Sequence, residues 1–429
     1  MSLIHEQHND FDDLREVQGQ RLVETVERAY ENVPFYREKL DGHGVTPDDI
    51  DGVDDIDRLP MTTKEAFREN YPDGLFAVDD DELLRIHASS GTTGKPKIVG
   101  YTENDLDVWE EVMARSLAAA GIEPGDTVQN AYGYGLFTGG LGFHDAVERL
   151  GATVVPTGSG QTQRQVELIE DLGSDALAAT PSYALYVAEK AEELGYDPTD
   201  LSIDTVVFGA EPCTEPMREA IEQRLGVTGI DVYGLSEIIG PGVSIECADA
   251  QEGLHIWEDH FYPEVIDPDT GEQVEEGEEG ELVLTSLTKE ALPMIRYRTG
   301  DITTLTRGEC ACGREMVRMD NIRGRSDDLL IVRGVNVYPS EIESVVLEFD
   351  EVAPYYRIDL RREDSMDVLE VTIERTADFD GNVPDLRKRL YERLANVLSF
   401  KPDEIFIADP GALERTKTGK VKRVYDHRE

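Results

Sequence analysis

The stretch His87-Ala-Ser-Ser-Gly-Thr-Thr-Gly-Lys-Pro-Lys97 is the part of the sequence around which the rest of the chain is organised. Gly91 and Gly94 let backbone N–H groups approach an anion closely, while the hydroxyls and lysines add donors and positive charge. This composition suits a polyphosphate. It is not a Walker loop, because only two residues separate the glycines and Pro96 follows Lys95. A surface loop between two strands is the alternative, since Ser, Thr and Gly are common in loops.

The charge balance excludes some partners. Against 41 Lys and Arg residues the 429-residue chain carries 90 Asp and Glu, a net charge of −49. Such a surface disfavours nucleic acid and anionic membranes, which are polyanions. Apolar runs recur between the acids, so we interpret the chain as a folded, halophilic protein rather than a disordered one. Because the Debye length is only ~3 Å in molar salt, we expect low salt to loosen the fold. A sharp thermal transition and full activity without added salt would contradict this.

Location signals are few. The first residues contain neither a basic region nor an apolar run, and no apolar stretch approaches ~18 residues. We therefore expect no signal peptide and no membrane span. Four cysteines in a chain of this length do not make a disulfide scaffold, so a cytoplasmic location is predicted.

Apolar spacing predicts a helix over residues 11–33 that Pro34 ends, then an exposed Asp- and Gly-rich connector over 41–60, then a strand at Leu83–Ile86. Beyond the opening stretch, short apolar runs alternate with helical patterns, which favours a largely parallel sheet covered by helices. The predicted strands are Thr127–Ala131, Ala152–Pro156, Ala176–Thr180, Thr205–Phe208 and Ile230–Tyr233. The predicted helices lie near 104–120, 139–150, 161–171, 182–194 and 214–225.

The pattern changes twice more. Short strands and turns predict a β-rich subdomain at about 245–320, and a small α+β pattern follows Gly324. The predicted fold class is therefore α/β: a large N-terminal domain, 1–324, with mainly parallel sheets flanked by helices plus the β-rich subdomain, and a small α+β C-terminal domain, 325–429. Ligands of parallel sheets bind at the carboxyl ends of strands. The candidate segments are Tyr132–Gly140, Gly209–Pro212 and Gly234–Glu237.

Four further motifs follow the opening stretch in a fixed order. They are Tyr233-Gly-Leu-Ser-Glu237, Tyr297-Arg-Thr-Gly-Asp301, Gly324-Arg-Ser-Asp-Asp328 and Arg415-Thr-Lys-Thr-Gly-Lys420. Together they resemble the motif series of the adenylate-forming superfamily, which contains acyl-CoA synthetases, luciferases and adenylation domains. More specifically, nearly the whole chain resembles the phenylacetate-CoA ligase family. The segments that carry this resemblance are Ala88–Tyr101, Ala131–Gly140, Phe208–Pro212, Trp257–Pro263, Ser286–Arg298 and Gly324–Pro339.

The resemblance implies a two-step reaction. A carboxylate attacks the α-phosphate of ATP to give an acyl-AMP and pyrophosphate, and the thiol of coenzyme A then displaces AMP. The residues it places on the β- and γ-phosphates are Ser89, Ser90, Gly91, Thr92, Thr93, Gly94 and Lys95. Those it places elsewhere on the nucleotide are Gly209, Ala210, Glu211, Pro212, Asp231, Tyr233, Gly234, Ser236, Asp301 and Arg325. Glu237 resembles the Mg²⁺ ligand, a hard oxygen donor. A helix N-terminal carboxylate for Glu237 and a surface ion pair for Asp301 with Arg325 are the alternatives.

Lys420 resembles the catalytic lysine, whose long ammonium side chain can reach the bridging oxygen as charge develops there. Lys417 is a competing candidate, and a solvated tail is the alternative for both. The family resemblance implies that the C-terminal domain is a mobile lid that pivots at Asp327. In the second pose of that lid the loop Arg333–Tyr338 would face the thiol tunnel.

An acid pocket is expected at the segment from Tyr132 to Gly140. Its glycines, Gly139 among them, leave room, and Tyr134 and Phe137 could pack against an aryl ring. Ordinary core aromatics are the alternative. Gly300 stands where aerobic bacterial members of the family carry a basic residue, which loosens the assignment to phenylacetate itself.

Cysteine and histidine spacing suggests a structural metal. Cys310 and Cys312 form a compact pair in a turn, and Cys247 and His255 lie upstream in the same β-rich region. Three thiolates and one imidazole suit a tetrahedral zinc ion, and some members of the resembled family share this set. The spacing differs from that of zinc fingers, and buried inert cysteines with a core histidine are the alternative. Cys213 is left over.

The sequence thus predicts an AMP-forming aryl-CoA ligase that uses ATP, Mg²⁺ and coenzyme A, with phenylacetate as the acid and structural zinc. One alternative is a synthetase of the same family that adenylates another acid or a deazaflavin cofactor. Another is a nucleotide-binding regulatory protein without the chemistry, against which the joint presence of Lys420, Glu237 and Asp301 argues. Family members are often homodimers, and a homodimer is expected here.

Overall fold

A computed structural model describes residues 11–89, 95–325, 329–333, 335–363, 366–398, 400–415 and 422–428. The helices are α1 Phe11–Asn32, α2 Pro34–His43, α3 Glu65–Glu69, α4 Glu103–Ala119, α5 Thr138–Leu150, α6 Thr162–Leu172, α7 Pro181–Leu194, α8 Glu215–Leu225, α9 Pro339–Leu347 and α10 Val383–Val397. Among the described residues, no helix combines the length and apolar character needed to cross a bilayer.

A nine-stranded sheet forms the centre of the N-terminal unit. Its strands are β3 Thr127–Asn130, β4 Thr153–Val155, β5 Ala176–Ala179, β6 Thr205–Gly209, β7 Thr228–Leu235, β8 Gly240–Ile245, β9 Leu254–Ile256, β13 Leu305–Thr306 and β14 Arg318–Met319. They are ordered β13-β14-β9-β8-β7-β6-β5-β3-β4. The half from β7 to β4 is parallel and the half from β7 to β13 is antiparallel. Strand β5 is buried along its whole length, as helices on both faces of a parallel sheet require.

The alternating segment confirms the sequence prediction closely. Each of its five apolar runs is a strand of this sheet and each helical pattern is a helix, with ends shifted by a few residues at most. Thr180 caps α7 by accepting a hydrogen bond from the N–H of Tyr183, and Pro181 occupies its first turn. The strand pattern, the capping residue and the Pro all mark the boundary between β5 and α7, so the sequence predicts it accurately.

The segment 41–60 differs from its prediction as an exposed connector. It contains two short 3₁₀ helices, Pro47–Asp49 and Val53–Arg58. Ile50, Val53 and Ile56 are buried in the main hydrophobic core of the N-terminal unit. Their spacing of three residues matches a 3₁₀ helix, whose side chains at i and i+3 line up on one face. The surrounding Asp and Gly residues concealed this apolar face in the sequence.

The β-rich region divides between two sheets. Strands β9, β13 and β14 extend the nine-stranded sheet, whereas β10 Phe261–Ile266, β11 Gly280–Ser286, β12 Tyr297–Thr303 and β15 Gly324–Arg325 form a separate antiparallel sheet. A two-stranded hairpin of β1 Arg85–Ser89 and β2 Lys97–Tyr101 flanks the opening stretch. This hairpin brings the described part of the opening stretch close to the end of β7, where the candidate site lies.

The C-terminal unit has a core of its own. Its strands are β16 Leu330–Val332, β17 Val335–Val337, β18 Val352–Glu363, β19 Met366–Arg375, β20 Glu404–Ala408 and β21 Val424–Asp426. The last four form a sheet in the order β20-β19-β18-β21. Leu386, Leu390 and Leu394 of α10 are fully buried and pack with this sheet and α9. Their i, i+4, i+8 spacing places them on one face of α10, and this apolar face packs on the core of the unit.

Candidate active site

Glu237 lies two residues beyond β7 and is only 6% exposed. Lys97 of β2 forms an ion pair with it, and the Tyr297 hydroxyl donates a hydrogen bond to its Oε1 over 3.1 Å. Lys97 also donates to the Tyr297 hydroxyl, 3.2 Å away. Burial alone would raise the pKa of Glu237, but the charge and hydrogen bond of Lys97 outweigh it and lower that pKa. Glu237 is therefore an ionised carboxylate whose orientation is fixed by Lys97 and Tyr297.

Asp301 and Arg325 meet across the β12–β15 pair. They are direct partners in the register, and Arg325 Nη1 donates to Asp301 Oδ1 over 2.6 Å. Tyr233, on β7, donates its hydroxyl proton to Asp301 Oδ2 over 2.6 Å. Both oxygens of Asp301 are thus engaged, and Asp301 is only 7% exposed. The surface ion pair considered as the alternative does not describe this buried, hydrogen-bonded carboxylate.

Asp231, farther back on β7, sits beside a second buried charge pair. Its backbone N–H donates to Glu246 over 2.8 Å, and Arg218 donates to the same Glu246 over 2.6 Å. Burial, followed by the nearby Glu246 charge, raises the pKa of Asp231 well above its usual value. Asp231 is therefore less suited than Asp301 to bind a ligand as an anion.

The segment after β6 is shaped by its backbone. A Cβ at Gly209 would lie 2.2 Å from the carbonyl oxygen of Val232, so only glycine permits this approach of β6 to β7. Ala210 follows with φ of 68°, in the left-handed region that a non-glycine residue adopts at a cost of about 1–2 kcal/mol. Such strain is concentrated at functional sites. Glu211 next to it accepts from the Ser182 hydroxyl over 2.7 Å at the first turn of α7.

The expected acid pocket adjoins the nucleotide motif. The hydroxyls of Thr138 and Ser236 are 3.1 Å apart, which joins the first turn of α5 to the segment after β7. Tyr134 is 38% exposed, and its hydroxyl accepts from Asn130 over 2.9 Å. A Cβ at residue 139 would lie 2.5 Å from the ring of Phe137. Tyr134 and Phe137 are thus not fully buried core aromatics, unlike Tyr132, which stacks on Phe143 in the interior.

Part of the predicted site lies outside the described residues. These are Ser90, Gly91, Thr92, Thr93 and Gly94 of the opening stretch, the proposed pivot Asp327, and both candidate lysines, Lys417 and Lys420. Of the opening stretch Ser89 ends β1 opposite Lys97, and Lys95 Nζ lies 4.3 Å from the centre of the Tyr71 ring. Pro212 and Gly234 occupy the expected segments after β6 and on β7.

The structure brings together all four predicted metal ligands. Cys247 Sγ and Cys310 Sγ are 3.7 Å apart, and His255 Nε2 and Cys312 Sγ are 3.5 Å apart. All four donor atoms lie within 4.8 Å of one another. Tetrahedral zinc with bonds of ~2.3 Å to sulfur and ~2.1 Å to nitrogen separates its ligand atoms by about 3.6–3.8 Å. The cluster therefore fits zinc, whereas a disulfide would need sulfurs ~2.05 Å apart.

Lys97 and Tyr297 are the site residues that sequence reasoning missed. Each was inside a quoted motif but received no role. Lys97 is 140 positions from Glu237 along the chain, and only the β1–β2 hairpin packing brings them together. One signal was available: Lys97 is on the same face of a short strand as the buried Val99 and Tyr101, directly after the glycine-rich stretch.

Family comparisons agree over almost the entire chain. Residues 5–288 match the AMP-binding enzyme family and residues 334–428 match the AMP-binding enzyme C-terminal domain. The phenylacetate-coenzyme A ligase of Thermus thermophilus is 50% identical, with 97% of each chain covered. That of Escherichia coli is 49% identical, over 97% of this chain and 95% of its own.

Solved structures of one ligase in two states also match. A 2-hydroxyisobutyryl-CoA ligase in the postadenylation state, in complex with R3-HIB-AMP, superposes with a TM-score of 0.92 at 29% identity, covering 97% of this chain and 90% of its own. The same ligase with 2-HIB-AMP and CoA in the thioesterification state gives 0.72 at 30% identity, covering 98% and 91%. The N- and C-terminal units are therefore arranged here as in the postadenylation structure.

Proposed function

The chain belongs to the phenylacetate-CoA ligase family of AMP-binding enzymes, and from this premise we propose that it joins phenylacetate to coenzyme A through an enzyme-bound phenylacetyl-AMP. It is an AMP-forming acid–thiol ligase with ATP and coenzyme A as substrates. The relatives at about 50% identity favour this activity over adenylation of a deazaflavin. Its arylacetate substrate is inferred from those relatives and from the exposed Tyr134 beside Phe137.

One observation supports the reaction most directly. The Thr138–Ser236 hydrogen bond places the aromatic segment against the motif that ends in Glu237. An acid bound by the aromatic segment would present its carboxylate beside the phosphates bound at the motif that ends in Glu237. Such an arrangement removes the entropy cost of bringing two anions together, and the cations nearby offset their repulsion.

The side chains divide the work of adenylation. Asp301, held by Tyr233 and Arg325, would accept both vicinal hydroxyls of the ribose. Lys95 and the glycine-rich stretch would hold the pyrophosphate as it leaves, and Lys420 would donate to the bridging oxygen as negative charge develops there. Glu237 would hold Mg²⁺, whose charge neutralises phosphate oxygens when it is bound. In the second step the thiol attacks the acyl carbon and AMP leaves.

The function is tested with a panel of acids. Purified protein is incubated with ATP, Mg²⁺ and one acid at a time, with and without coenzyme A, and pyrophosphate and thioester are measured. Phenylacetate should release pyrophosphate and, with coenzyme A, yield AMP and the thioester. Release with a deazaflavin alone would replace the proposal with the synthetase alternative. If none of the acids gives pyrophosphate release, the protein would be a regulatory nucleotide-binding protein without the chemistry.

Zinc at Cys247, His255, Cys310 and Cys312 is part of the proposal, supported by the ligand separations given above. It would tie the turn before β14 to β9 and stabilise the fold without entering the chemistry. Metal analysis of protein purified without added metal should find one zinc per chain, and none in a Cys310→Ser variant. Cys213→Ser, which alters a buried cysteine outside the cluster, is the control and should keep its zinc. Absence of zinc from the unaltered protein would remove the idea.

A cytoplasmic location and a homodimer remain predictions of the sequence. The four cysteines, all of them among the described residues, form no disulfide, which suits a reducing compartment. Sedimentation of the purified protein at several concentrations would distinguish a dimer from a monomer, and cell fractionation would place it.

A further inference from the structure

Two side-chain hydrogen bonds between the units meet at Glu189, a half-buried residue of α7. The hydroxyl of Tyr355, on β18 of the C-terminal unit, donates to Glu189 Oε2 over 2.7 Å. Arg415 of the same unit donates from Nη2 to Glu189 Oε1 over 3.2 Å. Both oxygens of one carboxylate in the N-terminal unit are thus held by two residues of the C-terminal unit. Leu347 of α9 packs nearby on the apolar cluster of α7 and α8.

Arg415 is firmly fixed within its own unit. Its guanidinium donates to both oxygens of Glu374 on β19, over 2.6 and 2.9 Å, and lies 3.4 Å from the centre of the Tyr355 ring. Glu374, which is only 1% exposed, also accepts the N–H groups of Gly411 and Leu413. The chain that leads into the lysine-bearing motif is therefore attached to the C-terminal sheet at three points. Movement of this sheet carries that chain with it.

Glu189 differs from Glu374 in what happens when the units separate. Arg415 would keep its two hydrogen bonds to Glu374, so its charge would stay paired in any arrangement of the units. Glu189 is exposed enough, at 27% of its side chain, to be hydrated once released. Breaking this contact therefore strands no buried charge, which is what a reversible contact requires. While the units are in contact, Glu189 accepts a charge-assisted hydrogen bond from Arg415 and a second hydrogen bond from Tyr355.

We propose that Glu189 is a positioning residue for adenylation: through Tyr355 and Arg415 it holds the C-terminal unit, and the chain leading to Lys420, in the adenylating arrangement, and it lets go before thioester formation. The proposal rests on the two half-reactions of the proposed function. It is supported by the match of the whole chain to the postadenylation structure rather than to the thioesterification structure of the same ligase. Lys420 follows Arg415 by five residues in the sequence.

The experiment separates the half-reactions. In Glu189→Ala, which loses both hydrogen bonds to this carboxylate, we expect acyl-AMP formation to slow by about tenfold or more, while thioester formation from supplied acyl-AMP is unchanged or faster. Tyr355→Phe removes one hydrogen bond but keeps the ring under Arg415, so it should show a smaller effect in the same direction. Glu192→Ala is the control: Glu192 is on the same helix and pairs with Arg224 of α8, inside the N-terminal unit, at 3.0 Å. It should leave both rates unchanged.

A distance measurement accompanies the rates. Dyes attached to cysteines placed at Asp107 and Lys388, exposed positions in the two units, report their separation by energy transfer. Glu189→Ala should change the transfer efficiency in the absence of coenzyme A, and Glu192→Ala should not. Equal loss of both half-reactions, or an unchanged efficiency, would overturn the proposal. If the unaltered protein formed no acyl-AMP, the proposed function would fail, and the transfer efficiencies would still decide whether Glu189 holds the units together.

Discussion

Two ion pairs, one in each unit of this molecule, differ sharply in their exposure to water. In the N-terminal unit the Arg296–Glu264 pair is almost wholly removed from water, with side chains 8% and 2% exposed. In the C-terminal unit the Arg387–Glu404 pair is open to water, with side chains 51% and 47% exposed. Buried pairs fix a geometry and are costly to break, whereas exposed pairs contribute little and re-form easily. The Arg296–Glu264 pair therefore fixes a local geometry in the large unit, whereas the Arg387–Glu404 pair contributes little to the stability of the small one.

The strongest test of this contrast is stability. Glu264→Gln leaves Arg296 with only part of its charge compensated, because Glu264 accepts from it over 2.8 and 3.0 Å. We expect a loss of about 3–5 kcal/mol in the free energy of unfolding, measured by denaturant titration. The matched variant Glu404→Gln should lose less than about 1 kcal/mol. Similar losses in both variants would erase the contrast between the units.

Catalysis gives the next largest effect, and it should come from the small unit. Lys420→Ala should slow acyl-AMP formation by ~10²–10³ or more, because one donor to the developing charge is lost. Binding of Mg·ATP and thioester formation from supplied acyl-AMP should change much less. Lys417→Ala is the control, and a larger effect there would transfer the role to Lys417. Equal slowing of both half-reactions by Lys420→Ala would show that the small unit does more than supply this donor.

Lys97 sharpens the contrast inside the nucleotide site. Lys97→Met leaves the buried Glu237 without its cation and should cost about 1–3 kcal/mol of stability in the absence of nucleotide. Bound Mg·ATP would supply positive charge to the same carboxylate. We therefore expect the rise in unfolding temperature on adding Mg·ATP to be larger in the variant than in the unaltered protein. If Mg·ATP raised the unfolding temperature equally in the variant and in the unaltered protein, Lys97 and the bound cation would not act on the same carboxylate of Glu237.

The smallest effect is a pH dependence of the N-terminal unit. His260 Nε2 lies 3.2 Å from Asp259 and 3.6 Å from Glu111, its Nδ1 contacts the Thr288 hydroxyl at 2.9 Å, and Arg115 donates to Asp259. Burial lowers the pKa of His260, but Asp259 and then Glu111 outweigh burial and raise it. The folded state thus binds the proton more tightly.

The sign follows from that raised pKa. His260 stabilises the fold fully below its unfolded pKa of about 6.5, and the contribution is lost as pH rises through the higher folded value. His260→Gln should therefore reduce the fall in unfolding free energy above about pH 6.5. A fall of equal size in the variant would assign the dependence to other groups.

Much of the fold followed from the sequence because local signals and packing agreed. The helix predicted near 182–194 is Pro181–Leu194, where the capping Thr180, the Pro and the apolar periodicity all point to one structure. Residues 41–60 were predicted wrongly because five apolar residues scattered among acids and glycines gave a weak signal that only the covering core reveals.

The site was predictable in its acids and in Arg325, but not in Lys97. Glu237 and Asp301 stand in motifs, and the four metal ligands stand in a recognisable set. The pairing of Lys97 with Glu237 depends on how a hairpin packs against a strand end more than a hundred residues away. The contact of Glu189 with Arg415 spans two units, so no local pattern encodes it.

The large sheet has one further consequence, for behaviour in a crowded solution. Its outermost strands are very short: β4 has three residues and β13 has two. An open strand edge offers unpaired N–H and C=O groups to other chains, and a short edge offers few of them. At the β13 side, zinc held by Cys310 and Cys312 with His255 would also tie the turn before β14 to β9. The two edges of the nine-stranded sheet therefore offer few backbone groups for pairing with a strand of another chain.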